Sequence, residues 1–143
     1  MTKSNITFRA RATGPNLHLH VVLDGKEIVR LEPTLESQTI TVDFEDDDEK
    51  EHLLELTMSG KQQDHTRVDE AGRILEDRVI EISDVSIDEI ELGYVFVKST
   101  RYQHDFNGTA DPVEDEFHGV MGCNGTVKFP FTTPVYLWLL ENM

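Results

Sequence analysis

Leu17-His18-Leu19-His20-Val21-Val22-Leu23-Asp24-Gly25-Lys26-Glu27-Ile28-Val29 is the stretch that decides the fold class. Apolar side chains recur with a period of two, reach an Asp-Gly pair, and give way to a second apolar run. A two-residue reversal needs positive φ, which glycine adopts without a Cβ clash, so Asp-Gly between two such runs marks a β-hairpin. A tight turn at this pair sets Ile28 beside Val21 and Arg30 beside Leu19.

The same style extends outward on both sides. Upstream, Ile6, Phe8, Ala10 and Ala12 alternate with Thr7, Arg9, Arg11 and Thr13, a half-buried strand that Gly14-Pro15 turns. Downstream, Ile40, Val42 and Phe44 form a strand, and so do Leu54, Leu56 and Met58, which Gly60 ends. Between them Glu45-Asp46-Asp47-Asp48-Glu49 is too charged to bury and reads as a loop tip. Arg78 to Leu92 is rich in Val and Ile, with shifts of parity that place bulges or turns at Ser83-Asp84 and Asp88-Glu89. Tyr94-Val95-Phe96-Val97 reads as one more strand, and Thr126 to Phe131 as another, closed by Pro130. The expected fold is all-β: an antiparallel sandwich over residues 1–99, followed by a C-terminal extension, 100–143, packing on the sandwich or on a neighbouring subunit.

Charge narrows the partners. With 13 Lys and Arg against 28 Asp and Glu, the formal net charge is −15. Such a field repels phosphate backbones and anionic bilayers, so neither nucleic acid nor membrane is expected as a partner. One cysteine, Cys123, excludes an internal disulfide and suits synthesis in a reducing cytoplasm. The start, Met1-Thr2-Lys3-Ser4-Asn5, carries no apolar signal core. The sequons at Asn5, Asn107 and Asn124 then read as turn chemistry rather than glycan acceptors.

Lys61 to Asp77 is the longest segment without strand pattern, with room for a short helix around Arg67 to Ala71. A loop of this length in a compact domain is commonly functional. Its acids Asp64, Asp69, Glu76 and Asp77 form the candidate calcium set, since calcium takes several oxygen ligands from flexible loops. The spacing is not that of an EF-hand. His104, Asp105 and His118 match no standard zinc pattern. No nucleophile–base arrangement survives its context, and a non-catalytic protein is expected. For sugar stacking, Tyr102 and Phe106 lie in a polar stretch where exposed rings are expected. Val135-Tyr136-Leu137-Trp138-Leu139-Leu140 is apolar on every side and too short to span a bilayer. Tyr136, Trp138, Leu139 and Leu140 are therefore the candidate oligomer interface.

Leu23-Asp24-Gly25, His52-Leu53-Leu54-Glu55-Leu56, Asp77-Arg78-Val79 and Ile87-Asp88 together resemble the motifs of small calcium-dependent, xylan-binding carbohydrate-binding modules, over residues 6 to about 92. The chain departs from that pattern at Ser59-Gly60, where those modules often carry Asn-Asp. The resemblance implies a jelly-roll-like sandwich, a loop-borne calcium that meets sugar hydroxyls, a polysaccharide partner, and Asp77 as a ligand. The tail from Tyr102 through Gly119-Val120-Met121-Gly122-Cys123-Asn124-Gly125-Thr126 to Trp138 resembles structural proteins of tailed bacteriophages. That likeness implies a virion component, a capsid decoration or tail accessory protein, made in the host cytoplasm and meeting other virion proteins or itself as a homo-oligomer.

Overall fold

A computed structural model describes residues 3–46, 49–61, 67–68, 70–71, 74–76, 78–104 and 111–142, with backbone alone at 67–68 and 74–76. The strands are β1 (Lys3–Ala12), β2 (His18–Leu23), β3 (Lys26–Leu31), β4 (Gln38–Glu45), β5 (Lys50–Ser59), β6 (Arg67–Val68), β7 (Ile74–Glu76), β8 (Ile80–Ile87) and β9 (Ile90–Glu91). Helix α1 (Tyr94–Ser99) precedes β10 (Arg101–His104), β11 (Val113–Asp115), β12 (Val120–Met121), β13 (Gly125–Thr133) and helix α2 (Val135–Asn142). Two antiparallel sheets pack face to face. One runs β12-β8-β1-β4, with β9 on β8, and the larger runs β11-β10-β13-β5-β2-β3.

Period-two burial explains the layers. Ile6, Phe8, Ala10 and Ala12 of β1, with Ile40, Val42 and Phe44 of β4, face Leu19, Val21 and Leu23 of β2 and Leu54, Leu56 and Met58 of β5. In β8 the buried set switches parity between Ile82 and Val85, where the pairing to β1 shifts register and Asp84 has φ 53°. That is the expected bulge, and Asp88-Glu89, both at positive φ, make the expected turn into β9.

The hairpin register differs from the simple expectation. Leu23 pairs with Lys26 and Val22 with Glu27, but Val21 then pairs with Val29 and Leu19 with Leu31. A one-residue bulge at Ile28 restores the apolar side of β3, so Arg30 falls opposite His20 rather than Leu19. Pro130 does not close its strand. It lies inside β13 opposite Leu53, whose N–H and C=O are both engaged with Asp24 on the β2 side. The proline nitrogen therefore points away from β5, past the end of β10, which pairs only with Gly125–Lys128.

Two further expectations are corrected. Tyr94–Val97 is the start of helix α1, because the chain here crosses between layers with Phe96 as its buried residue. The Thr100 hydroxyl donates to the Phe96 carbonyl at 2.9 Å and satisfies the helix end. Within Arg67–Ala71, Arg67 and Val68 are not helical: they form β6, which pairs antiparallel with β7. Residues 100–142 contribute strands to both sheets. β13 sits at the centre of the larger sheet between β10 and β5, and β12 extends the smaller sheet beside β8.

The smaller sheet leaves part of its partner uncovered, and the two helices fill that place. Phe129 of β13 meets Phe96 of α1 at 5.1 Å and Trp138 of α2 at 5.5 Å between ring centroids, both edge-on. Phe117 joins Phe96 at 6.2 Å and Tyr102 at 5.8 Å. Asp46 fixes where α2 begins: its carboxylate accepts from the Val135 N–H at 2.8 Å and from the Ser4 hydroxyl at 2.9 Å.

Candidate functional site

The excursion between β5 and β8 carries the candidate calcium ligands, and both of its ends are fastened. At the entrance, the Lys61 N–H donates to Asn124 Oδ1 and Asn124 Nδ2 donates back to the Lys61 carbonyl, each at 2.9 Å. The Lys61 ammonium, buried, donates to the Gly122 carbonyl at 2.5 Å. At the exit, the Val79 N–H donates to Thr13 Oγ1 at 2.9 Å and Arg78 Nη1 donates to the Pro15 carbonyl at 3.1 Å. The excursion thus stands on the β1–β2 turn and the β12–β13 turn. Of the candidate set, Glu76 ends β7 with its backbone opposite Arg67. Asp64, Asp69 and Asp77 lie outside the described residues. Among the described residues no group of three or more His, Cys, Asp or Glu side chains converges to hold a metal. Beside the exit lies an open cleft of about 620 Å³ with mainly apolar walls, including Pro15, Pro33 and Leu35, and with Glu32 and Glu36 at its rim.

A second cleft, about 720 Å³, opens at another place on the surface, lined by Asp24, His52, Lys98, Phe131, Trp138 and Asn142 among others. Here the structure joins two residues that the sequence shows far apart. Asp24 sits at the hairpin tip with φ 52°. Its carboxylate accepts from the Leu53 N–H at 2.8 Å and bonds His52 Nδ1 at 2.6 Å. The imidazole faces inward, stacked on Phe131 at 5.2 Å and tilted against Phe44 at 5.8 Å. Its Nε2 is buried and has no hydrogen-bond partner among the described residues. A hydrolytic triad would need a hydroxyl or thiol on that nitrogen. Aromatic rings flank it instead, so the pair acts as a pin between the β2–β3 hairpin and β5. Asp24 and His52 both belong to the motif segments that carry the module resemblance. The pattern that would have joined them is an inward-facing His at a strand start beside an Asp held at positive φ.

Of the two stacking candidates, Tyr102 does not stand as expected. Tyr102 is only 7% exposed, so it offers no open ring face. It lies against Phe117 and His104, its hydroxyl donates to the Cys123 carbonyl, and it accepts from the Cys123 N–H at 3.0 Å. Burial pushes its phenol up to about 12. The polar sequence around Tyr102 hid its position on the inner face of β10. Phe106 lies outside the described residues.

The apolar tail divides into two faces. Trp138, 6% exposed, and Leu139 are buried in the chain's own core with Val135, and are corrected from interface to core residues. Tyr136, Leu137 and Leu140 remain exposed on the other side of α2, where Glu141 follows. A cleft of about 300 Å³ beside Leu137 and Glu141 is also lined by Glu49 and Glu51.

Comparison with solved structures agrees with this architecture. The carbohydrate-binding module vCBM60, in its selenomethionine form, superposes with a TM-score of 0.55 and 12% sequence identity, over 88% of this chain and 89% of that one. The antiparallel sandwich resembles the fold of that module. Two families of calcium-dependent modules are linked by circular permutation in the description of that structure. vCBM60 in complex with galactobiose superposes with a TM-score of 0.49 and 14% identity, over 87% of this chain and 96% of that one. No family model matches the sequence, and no curated protein does.

Proposed function

We propose that this chain is a non-catalytic, calcium-dependent polysaccharide-binding module. The observation that carries the reading is the module fold together with an acid-bearing excursion fastened at both ends to neighbouring turns. An anchored loop holds a ligand set at low entropic cost, because its ends are already fixed. Asp64, Asp69, Glu76 and Asp77 are the residues proposed to hold calcium, which would supply a Lewis-acidic contact for sugar hydroxyls. The Asp24–His52 pin and its phenylalanine neighbours support the non-catalytic part of the reading.

The test is native affinity electrophoresis in gels containing xylan or other soluble polysaccharides, with calcium or with EDTA, alongside thermal melting. Calcium at a hundredfold its Kd is expected to stabilise the fold by about 2.7 kcal/mol. Asp77→Ala should lose that rise and the retardation together. Equal mobility in every polysaccharide gel, with melting unchanged by millimolar calcium, overturns the reading.

A second reading is favoured by the row Tyr136, Leu137 and Leu140, exposed beside Glu141, Glu49 and Glu51. It proposes a structural virion protein whose α2 docks on a basic, apolar surface of another virion component. The expected sign is poor solubility of the isolated chain, relieved by replacing all three residues with Ser. Wild type and triple variant of equal solubility would remove this reading.

A further inference from the structure

We propose that two copies of this chain pair through the free edge of β4, in an antiparallel register centred on Thr41, to form a two-fold dimer. The proposal is independent of whether the sandwich binds a glycan.

Sheet edges invite pairing unless something blunts them. Among the described residues, the other edges are blunted. β3 carries the bulge at Ile28 and the charges of Lys26 and Arg30. β9 and β12 have two residues each and β11 three. β4 differs: it runs eight residues, pairs with β1 without a register shift, and contains no Pro, Lys or Gly.

The hydrogen-bond parity gives the edge its direction. The Asp88 N–H donates to the Asn5 carbonyl at 3.0 Å, so Asn5 faces β8. Alternation then turns Ser4, Ile6, Phe8 and Ala10 toward β4, where they meet Phe44, Val42, Ile40 and Gln38. Thr39, Thr41 and Asp43 are left with N–H and C=O directed outward, and none of these groups has a partner among the described residues.

The edge is also self-complementary in charge. With the dyad on Thr41, Thr39 faces the second copy's Asp43, Thr41 faces Thr41, and Ile40 faces Val42. Each outward-directed pair exchanges two N–H···O bonds. Glu45 falls opposite Ser37, so within β4 no acid meets an acid. Arg9 neighbours Thr39 on β1, on the outer face of the same sheet, which places a guanidinium one strand away from the second copy's Asp43. Moving the dyad to Val42 would make the two Asp43 residues diagonal neighbours, and moving it to Asp43 would oppose them directly. In a chain of net charge −15 that difference disfavours both of those registers.

Sedimentation equilibrium of the full chain at about 100 µM tests the proposal. The expected mass is twice the 16.3 kDa of one chain. Thr41→Pro removes an outward N–H while leaving the β1 ladder intact, and halves the mass. Thr41→Lys sets two ammonium groups across the dyad and does the same without a proline. Mixing Thr41→Lys with Thr41→Glu restores the doubled mass. A monomeric wild type, a doubled mass that survives both Thr41→Pro and Thr41→Lys, or one lost only when Tyr136, Leu137 and Leu140 become Ser, overturns the proposal.

Discussion

Replacing Trp138 with Ala separates two roles for the C-terminal helix. In the structure this indole is 6% exposed and packs edge-on against Phe129, itself fully buried and in contact with Phe96. Removing it leaves a cavity at the junction of α2, α1 and β13. Large aromatic-to-alanine changes in such places cost about 3–5 kcal/mol. For a chain of this length each kcal/mol lowers Tm by roughly 3–4 °C, so the expected fall is roughly 9–20 °C. Leu140→Ala is the control. That side chain is 71% exposed, and its loss should change stability by less than about 0.5 kcal/mol. Thermal unfolding followed by near-ultraviolet and far-ultraviolet circular dichroism reads both. Deleting residues 135–143 removes Val135, Trp138 and Leu139 together and should abolish the cooperative transition. If Trp138→Ala melts within a degree or two of wild type, or if the deletion leaves a cooperative and more soluble protein, the helix is a docking segment and its placement in the core is wrong.

Two further expectations concern the polar interior. Tyr102, raised to about 12 from an ordinary 10, favours its neutral form in the fold, so its contribution is intact below pH 10 and is lost as pH rises toward 12. Tyr102→Phe should flatten that alkaline limb of a stability–pH profile, while costing about 1–3 kcal/mol at neutral pH because the Cys123 backbone loses its partner. At the pin, Asp24→Asn should be milder than Asp24→Ala in urea unfolding, since Asn tolerates positive φ and keeps an oxygen for the Leu53 N–H. Equal costs for the two variants would mean that neither the turn conformation nor the acceptor matters.

The strands were legible where one face is wet. Ile6 to Ala12, Ile40 to Phe44 and Leu54 to Met58 each show period two because each has a solvated side, and even the β8 bulge announced itself as a change of parity at Ser83-Asp84. Tyr94–Val97 and Val135–Leu140 carry no period, because both helices are short and apolar around much of their circumference, and a run of four to six such residues fits strand or helix alike. Tyr102 was misplaced because the residues that bury it, Phe117 and Cys123, arrive far along the chain and from other elements. The hairpin register was missed for a different reason: Ile28 obeys the pattern locally, and the bulge is required only to keep Val29 and Leu31 over the core. The Asp24–His52 pin was invisible as a contact, although both members stood in recognisable motifs, because it depends on which way β5 faces.

The position of β13 also governs the order in which the molecule can be completed. A nascent chain held before residue 125 has β2, β3 and β5 on one side and β10 with β11 on the other, and nothing to join them. Both flanks present open backbone to the crowded space near the ribosome until β13 emerges, the interval in which β-rich chains are most exposed to mispairing. β13 is the keystone of the larger sheet, so a nonsense codon just ahead of residue 125 would leave both flanks unjoined, however much of the chain had been made.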